Sequence, residues 1–200
     1  MNFDYPNWSS IHHKHWKPIL DKHLNLDQPI TMIEVGCFEG RSTVWFADYL
    51  GHHPSSRMFC VDTWMGGEEI ERTNLRFDMN TVRSNFFENV RELKEKDKII
   101  THMMQSERAL SGLFTKYYRG IDFIYLDGSH TQRDTLVDLT FCISLLKQGG
   151  VVIVDDYNNN MATNNPLLRP KDAVDFIVKS FDNEIEFSLT PEQQAVIIRK

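Results

Sequence analysis

Short apolar runs alternate with amphipathic stretches along most of this chain, and this alternation limits the folds available to it. Five apolar runs predict buried strands, at residues 30–35, 57–61, 98–102, 121–126 and 151–154. Amphipathic stretches predict helices at residues 40–50, 106–118, 131–146 and 171–180. Strands that alternate with helices form a mostly parallel sheet with helices on both faces. The sequence therefore predicts an α/β fold built around a doubly wound sheet.

The end of the chain adds two strands to that sheet. Residues 185–189 and 195–198 are apolar runs on either side of Pro191, a pattern typical of a hairpin. The last strand is therefore expected to run antiparallel in a mostly parallel, seven-stranded sheet, and residues 30–200 form one domain. Residues 1–29 precede the alternation and are expected to form a helical, aromatic segment that could close over a site as a lid. Its aromatic side chains include Phe3, Tyr5, Trp8 and Trp16.

Composition and charge narrow the class of protein. The 200 residues are 41% hydrophobic and 25% charged, which is typical of a globular chain and excludes wholesale disorder. A formal charge of −6 disfavours bulk binding of nucleic acid. No apolar run approaches the ~20 residues of a membrane span, and no signal peptide is evident near the first residue. The three cysteines are far apart and form no C-x-x-C pair, so we expect free thiols and a cytoplasmic location.

Gly36 and Gly40 lie in the turn that follows the first predicted strand and opens the next helix. Glycines at such a turn let a ligand approach the backbone closely, next to a helix N-terminus. A dinucleotide-binding turn would also have glycine at positions 38 and 41, where this chain has Phe38 and Arg41. A pyrophosphate-bearing ligand therefore fits poorly here.

Two polar residues follow the next strands along the chain. Asp62 ends the second strand, where an acid can accept hydrogen bonds from both hydroxyls of a ribose. Ser106 follows the third strand and opens a helix. Together with the glycine turn, these residues predict a site for an adenosine-bearing ligand that has no pyrophosphate.

Acidic residues end the fourth and fifth strands. Asp127 follows the fourth strand, and Asp155 and Asp156 follow the fifth. Because neighbouring parallel strands lie about 4.8 Å apart and end at the same edge of a sheet, these three carboxylates are expected to converge. Their mutual repulsion favours a hard divalent cation, Mg²⁺ with Ca²⁺ or Mn²⁺ as alternatives. The alternative is that the acids only cap helices or bind loop amides.

His130 lies three residues beyond Asp127, at the start of the next helix. A neutral imidazole can take a proton from a hydroxyl group, and a cation bound to that hydroxyl lowers its pKa. His130 is therefore the candidate general base, with a structural, helix-capping histidine as the alternative.

Four segments carry a resemblance to a known family. They are E-V-G-x-x-x-G-R-S from residue 34, V-D-T-W from 61, L-D-G-S-H from 126 and G-G-V-V-I-V-D-D-Y from 149. Over residues 30–157 the chain resembles the class I S-adenosylmethionine (SAM)-dependent methyltransferases. The likeness is to metal-dependent O-methyltransferases that act on small molecules such as the sugar hydroxyls of antibiotics, and more distantly to catechol O-methyltransferase. It implies a Rossmann-like sheet, SAM as cofactor and a small hydroxylated acceptor.

The resemblance also assigns roles to residues. By that likeness Asp62 holds the ribose, Ser106 lies by the adenine, and Asp127 belongs to both the cofactor and the metal site. The same likeness places Glu34, Gly36 and Gly40 at the methionine part of SAM and Thr63 and Trp64 near the adenosine. Some members carry an acid where this chain has Ser129, and this difference favours His130 as the base.

Two other functions compete with a metal-assisted O-methyltransferase. A nicotinamide-dinucleotide oxidoreductase is disfavoured by Phe38 and Arg41 in the glycine turn. A protein that binds an adenosine ligand without catalysis would not need His130 beside three acids. The identity of the acceptor stays open, as does a homo-oligomeric state.

Overall fold

A computed structural model describes residues 1–67, 76–158, 167 and 169–200. Within them lies one seven-stranded sheet of order β3-β2-β1-β4-β5-β7-β6. The strands are β1 (Thr31–Val35), β2 (Arg57–Asp62), β3 (Ile99–Met103), β4 (Ile121–Leu126), β5 (Leu146–Val154), β6 (Ile185–Leu189) and β7 (Ala195–Arg199). The last strand, β7, runs antiparallel to both of its neighbours, whereas β1 to β5 pair in parallel. The predicted sheet is thus confirmed.

In the described part of the chain, six α-helices cover the two faces of the sheet. They are α1 (His13–His23), α2 (Arg41–Leu50), α3 (Met79–Glu92), α4 (Ser106–Tyr117), α5 (Gln132–Leu145) and α6 (Lys171–Ser180). Side chains of α1, α2 and α3 form one apolar layer, and those of α4, α5 and α6 form the other. The central strand β4 contributes side chains to both layers: Phe123 packs in the first and Ile124 in the second. No helix in the described residues is long and apolar enough to cross a membrane.

Strand β5 begins earlier than its apolar run predicts. The helix before it ends at Leu145, and Leu146 already pairs with Ile121 of β4. The register shifts between Ile121 and Phe123, where Gly150 lies close to β4: a Cβ added there would be 3.0 Å from the carbonyl oxygen of Ile121. Gly149 and Gly150 therefore belong to a bulge inside β5.

Helix α1 does not fit the prediction that residues 1–29 form a separate lid. Trp16 and Leu20 of α1 are fully buried in the first apolar layer. The Trp16 indole N–H also donates a 2.8 Å hydrogen bond to the side chain of Gln194, just before β7. This half of the segment is therefore part of the core. Its removal would expose aromatic surface that is fully buried in the fold. Of the predicted lid, only the residues that precede α1 remain candidates for covering a site.

Two polar segments that interrupt the alternation of strands and helices, residues 64–80 and 157–170, lie partly outside the described residues. The polar insertion at 64–80 is described up to residue 67 and from residue 76, and the asparagine-rich stretch at 157–170 only at its ends and at residue 167. Asn159, Asn160, Asn164 and Asn165 of that stretch lie outside the described part.

Candidate active site

A cavity of about 380 Å³ opens at the carboxyl ends of β1 to β4. Five of the residues predicted for the site line it, namely Gly36, Asp62, Thr63, Ser106 and Asp127. Its wall also includes side chains that the sequence did not suggest, among them Phe38, Gln105, Asp134, Val137 and Asp138. Its position follows the general rule for open α/β sheets, in which ligands bind beyond the carboxyl ends of the strands.

Gly36 allows two of these strand ends to meet. It has a φ of +82°, and a Cβ added to it would lie 1.8 Å from the backbone carbonyl oxygen of Asp127. Its own N–H donates a 2.9 Å hydrogen bond to the carbonyl oxygen of Val61, at the end of β2. A side chain at position 36 would therefore push β1 away from β4 at the floor of the cavity.

Asp62 holds the glycine turn in place. Its Oδ2 accepts hydrogen bonds from the backbone N–H groups of Cys37 (2.8 Å) and Phe38 (3.0 Å), and its Oδ1 accepts from the N–H of Trp64 (2.7 Å). A carboxylate has about four lone-pair sites, so three are used within the chain. Asp62 can therefore accept one further hydrogen bond at the cavity, whereas the sequence predicted that it accepts two from the hydroxyls of a ribose.

Glu34, Gly40 and Trp64 support the turn and are not among the residues that line the cavity. Gly40 has a φ of +86° and precedes α2. Trp64 is 4% exposed and donates from its indole N–H to the carbonyl oxygen of Phe38, at 2.9 Å. The structure therefore places all three behind the cavity wall, although the resemblance put them at the ligand.

Glu34 is fully buried beneath the start of α2. Its two carboxyl oxygens accept hydrogen bonds of 2.5 Å from the hydroxyls of Ser42 and Thr43. Burial is the main reason that the pKa of Glu34 rises to about 7, and these hydrogen bonds oppose the rise.

Glu34, Cys37 and Cys60 are the one group of potential metal ligands in the described residues whose ligand atoms all lie within 4.8 Å of one another. These residues do not fit a metal. Burial raises the pKa of both thiols, whereas a metal needs thiolates, and the Glu34 oxygens already accept two hydroxyls. The Cys37 Sγ instead contacts the carbonyl oxygens of Glu34 and Val61, at 3.9 and 3.7 Å. We interpret the group as packing beneath the turn.

The predicted acids meet beside the cavity, with His130 between two of them. The Nε2 of His130 lies 3.4 Å from Oδ1 of Asp127 and 3.2 Å from Oδ2 of Asp156. The hydroxyl of Tyr125 donates to Oδ2 of Asp155 at 2.5 Å and lies 3.5 Å from Oδ2 of Asp127. The pKa of Asp127 is raised well above its usual range, first by burial and then by the charge of Asp155, while His130 opposes the rise.

The donor set of Asp127, Asp155 and Asp156 suits a hard cation, since all its ligand atoms are carboxylate oxygens. Among the described residues, the side chain of His130 bridges two of these acids. The carboxylate oxygens of these three acids are not among the groups whose ligand atoms all lie within 4.8 Å of one another in the described residues. The three side chains would therefore have to rotate to bind one ion together.

Two residues distant in sequence complete the surroundings of Asp155. Its Oδ1 accepts hydrogen bonds from the side-chain amide of Gln194 (2.9 Å) and from the N–H of Asp156 (2.8 Å). The Nε2 of His12 lies 4.0 Å away. Neither contact has a sequence signal, because His12 and Gln194 lie at opposite ends of the chain.

Residues 33–157 match the family model described as Methyltransferase domain. No curated protein matches the chain. Among solved structures, the chain resembles the O-methyltransferase from Bacillus cereus in complex with SAH (S-adenosylhomocysteine), at TM-score 0.66 and 13% identity over 97% of this chain and 83% of that one.

Two further solved structures differ in what they act on. TomG from Streptomyces achromogenes, an O-methyltransferase involved in tomaymycin synthesis and in complex with SAM, aligns at TM-score 0.67 and 14% identity over 96% of this chain and 81% of that one. A putative rRNA-methylase from Clostridium thermocellum aligns at TM-score 0.64 and 14% identity, over 99% and 98% of the two chains. At such identities the likeness shows a shared fold, and the acceptor has to be argued from this chain's own residues.

Proposed function

This chain belongs to the methyltransferase domain family that its residues 33–157 match, and from that premise we propose that it transfers the methyl group of SAM to a hydroxyl oxygen of a small molecule, assisted by a divalent cation. One observation carries the proposal. The cavity runs from Asp62 and Ser106 to Asp127, and Asp127 is also part of the cluster of acids around His130. The proposed adenosine site and the candidate base therefore meet at Asp127.

The cavity suits SAM better than a dinucleotide. Its acidic wall, which includes Asp127 and Asp134, favours the positive sulfonium of SAM over a pyrophosphate. Phe38 also lines the cavity, in the turn where a dinucleotide would need glycine for its pyrophosphate to approach the backbone. Both features weigh against the oxidoreductase.

His130 is the residue that we infer to remove the acceptor's proton. The carboxylates of Asp127 and Asp156 lie 3.4 and 3.2 Å from Nε2 and would hold a proton on that nitrogen. As a neutral imidazole, His130 then accepts the hydroxyl proton, and the two carboxylates stabilise the imidazolium that forms. The acceptor oxygen forms the new bond to the methyl carbon as the carbon–sulfur bond breaks, its electron pair passes to sulfur, and SAH is the product.

Asp127, Asp155 and Asp156 would hold the divalent cation, with Mg²⁺ as first choice and Ca²⁺ or Mn²⁺ as alternatives. The cation would lower the pKa of an acceptor hydroxyl and fix its orientation. The raised pKa of Asp127 supports this role, because it reflects burial near the negative charge of Asp155.

The small size of the acceptor and a cytoplasmic location are also parts of the proposal. The formal charge of −6 supports a small molecule over a nucleic acid. The free, buried thiols of Cys37, Cys60 and Cys142 support a reducing compartment.

Binding measurements test the cofactor without knowledge of the acceptor. SAH should raise the melting temperature of the protein, because a ligand that binds only the folded state stabilises it. NAD⁺ and NADH are the comparison ligands, each with and without Mg²⁺. A shift with NADH and none with SAH would refute the proposed cofactor.

Turnover tests the base and the metal, with radiolabelled SAM and a panel of hydroxylated small molecules. His130→Ala should lower turnover by about 10²–10⁴-fold while SAH still binds. His52→Ala, at an exposed position, is the matched control. Excess chelator should abolish transfer and Mg²⁺ should restore it; full activity in chelator would remove the cation from the proposal.

A further inference from the structure

Asp138 is a buried acid in the wall of the cavity, and the proposed chemistry does not use it. It lies in α5 and is 2% exposed. Its Oδ1 has no hydrogen-bond partner among the residues that the structure describes. A buried carboxyl oxygen without a partner is costly, so a side chain in this state beside a ligand cavity points to a group that arrives with the ligand.

The surroundings of Asp138 leave it an acceptor. The Ser106 side chain hydrogen bonds to its carboxyl group and favours the charged form, and Arg133 acts in the same direction. Burial dominates and raises the pKa of Asp138 to about 7, with the charges of Asp134 and Glu107 adding to the rise. Above that pH the carboxyl is an ion that can only accept hydrogen bonds.

Asp138 stands at the end of the cavity where the adenine of SAM is expected. Ser106 and Gln105 follow β3 and line this end, whereas Asp62 at the end of β2 lies at the position for the ribose. Adenine carries one strong hydrogen-bond donor in such a compound, its exocyclic amino group, and its ring nitrogens are acceptors. A carboxylate at this end therefore matches the amino group and repels a carbonyl oxygen.

We propose that Asp138 accepts a hydrogen bond from the amino group of the cofactor's adenine and makes the site selective against a 6-oxopurine. The inference rests on the proposed function, since it needs an adenosine ligand in this cavity. Replacement of the amino group by an oxygen places two acceptors face to face and leaves the carboxyl oxygen unpartnered. A site built to bind a donor rejects a ligand without it far more strongly than an apolar pocket would.

Calorimetric titration with SAH and with S-inosylhomocysteine, its 6-oxo analogue, tests this role at pH 8. The unaltered protein should bind SAH at least ~10-fold more tightly than the analogue. In Asp138→Asn the amide can donate to the 6-oxo group as well as accept, so the preference should shrink or reverse. Asp182→Asn, at an exposed position that does not line the cavity, is the matched control, and it should keep the preference. Melting curves confirm that each variant is folded.

The unaltered protein supplies a second measurement if Asp138→Asn does not fold. The preference for SAH should fall as the pH drops from 8 to 6, since a protonated Asp138 can donate to the 6-oxo group. Equal binding of the two compounds, or a preference in Asp138→Asn equal to that of Asp182→Asn, would overturn the role of Asp138 and leave the proposed function intact. No binding of SAH to the unaltered protein would overturn both.

Discussion

Replacement of Gly36 by alanine should damage the fold and the cofactor site together. The methyl group would lie 1.8 Å from the carbonyl oxygen of Asp127, so the ends of β1 and β4 must separate by about an ångström. Steric overpacking of this kind costs about 1–3 kcal/mol, and the left-handed backbone adds about 1–2 kcal/mol for a residue with a Cβ. We expect Gly36→Ala to lower the free energy of unfolding by about 2–5 kcal/mol, which corresponds to roughly 10 °C in a chain of this length.

Gly149→Ala separates the two contributions. Gly149 has a φ of +76°, close to that of Gly36, but a Cβ added there meets nothing within 4 Å. Its cost is therefore the backbone strain alone, about 1 kcal/mol after the gain from a less flexible unfolded chain.

Thermal melts with and without SAH compare the two variants. The unaltered protein and Gly149→Ala should show the same SAH-induced rise in melting temperature, whereas Gly36→Ala should lose most of it. Equal destabilisation of both variants would refute the close approach of β1 and β4, since only the clash distinguishes them.

Three further changes have defined outcomes. Because the folded pKa of Glu34 is raised from 4.5 to about 7, protonation of this group stabilises the fold below pH 4.5 and that contribution is lost as the pH rises through 7. Glu34→Gln should remove about 3 kcal/mol of this pH dependence in denaturant melts; parallel stability curves for the two proteins would contradict it. Removal of residues 1–25 should abolish cooperative melting, because Trp16 is fully buried, whereas removal of residues 1–8 should leave a folded protein. Asp62→Ala should abolish the SAH-induced shift in melting temperature, and an unchanged shift would mean that another residue holds the ribose.

The central strands of the sheet could be predicted because they are buried on both faces. All six residues of β4 are buried, and apart from Asp122 the strand is an apolar run. Helix α3 was not predicted, since the polar residues Asn85 and Asn89 stand on its buried face beside Val82 and Phe86. Their side-chain amides donate to Glu39, Asn85 to Oε1 (2.8 Å) and Asn89 to the carbonyl oxygen (2.9 Å), and a hydropathy pattern does not register such contacts.

The site residues that could be predicted are those at or just beyond the ends of strands. Asp62 ends β2, Asp127 follows β4 and Ser106 lies three residues beyond β3. The rule for strand ends places these residues at one edge of the sheet. Glu34 was expected at the ligand, but it alternates with Ile33 and Val35 along β1, and its side chain therefore points into the layer of α1 to α3. Asp138 had no signal, because only the packing of α5 against the cavity distinguishes it from any other acid on a helix.

Glu39 explains why the first residues of the chain cannot move as a simple lid. It is fully buried in the turn between Gly36 and Gly40, and its carboxylate accepts hydrogen bonds from the N–H groups of Asp4 (2.9 Å) and Tyr5 (3.2 Å). Opening the segment would leave a buried charge without two of its donors. The ordered conformation of the first residues and the conformation of the turn between Gly36 and Gly40 therefore stabilise each other. By linkage, a ligand that favours this conformation of the turn also favours the ordered first residues. Removal of residues 1–8 should accordingly weaken SAH binding itself, whereas a lid that served only to cover the acceptor would leave that affinity unchanged.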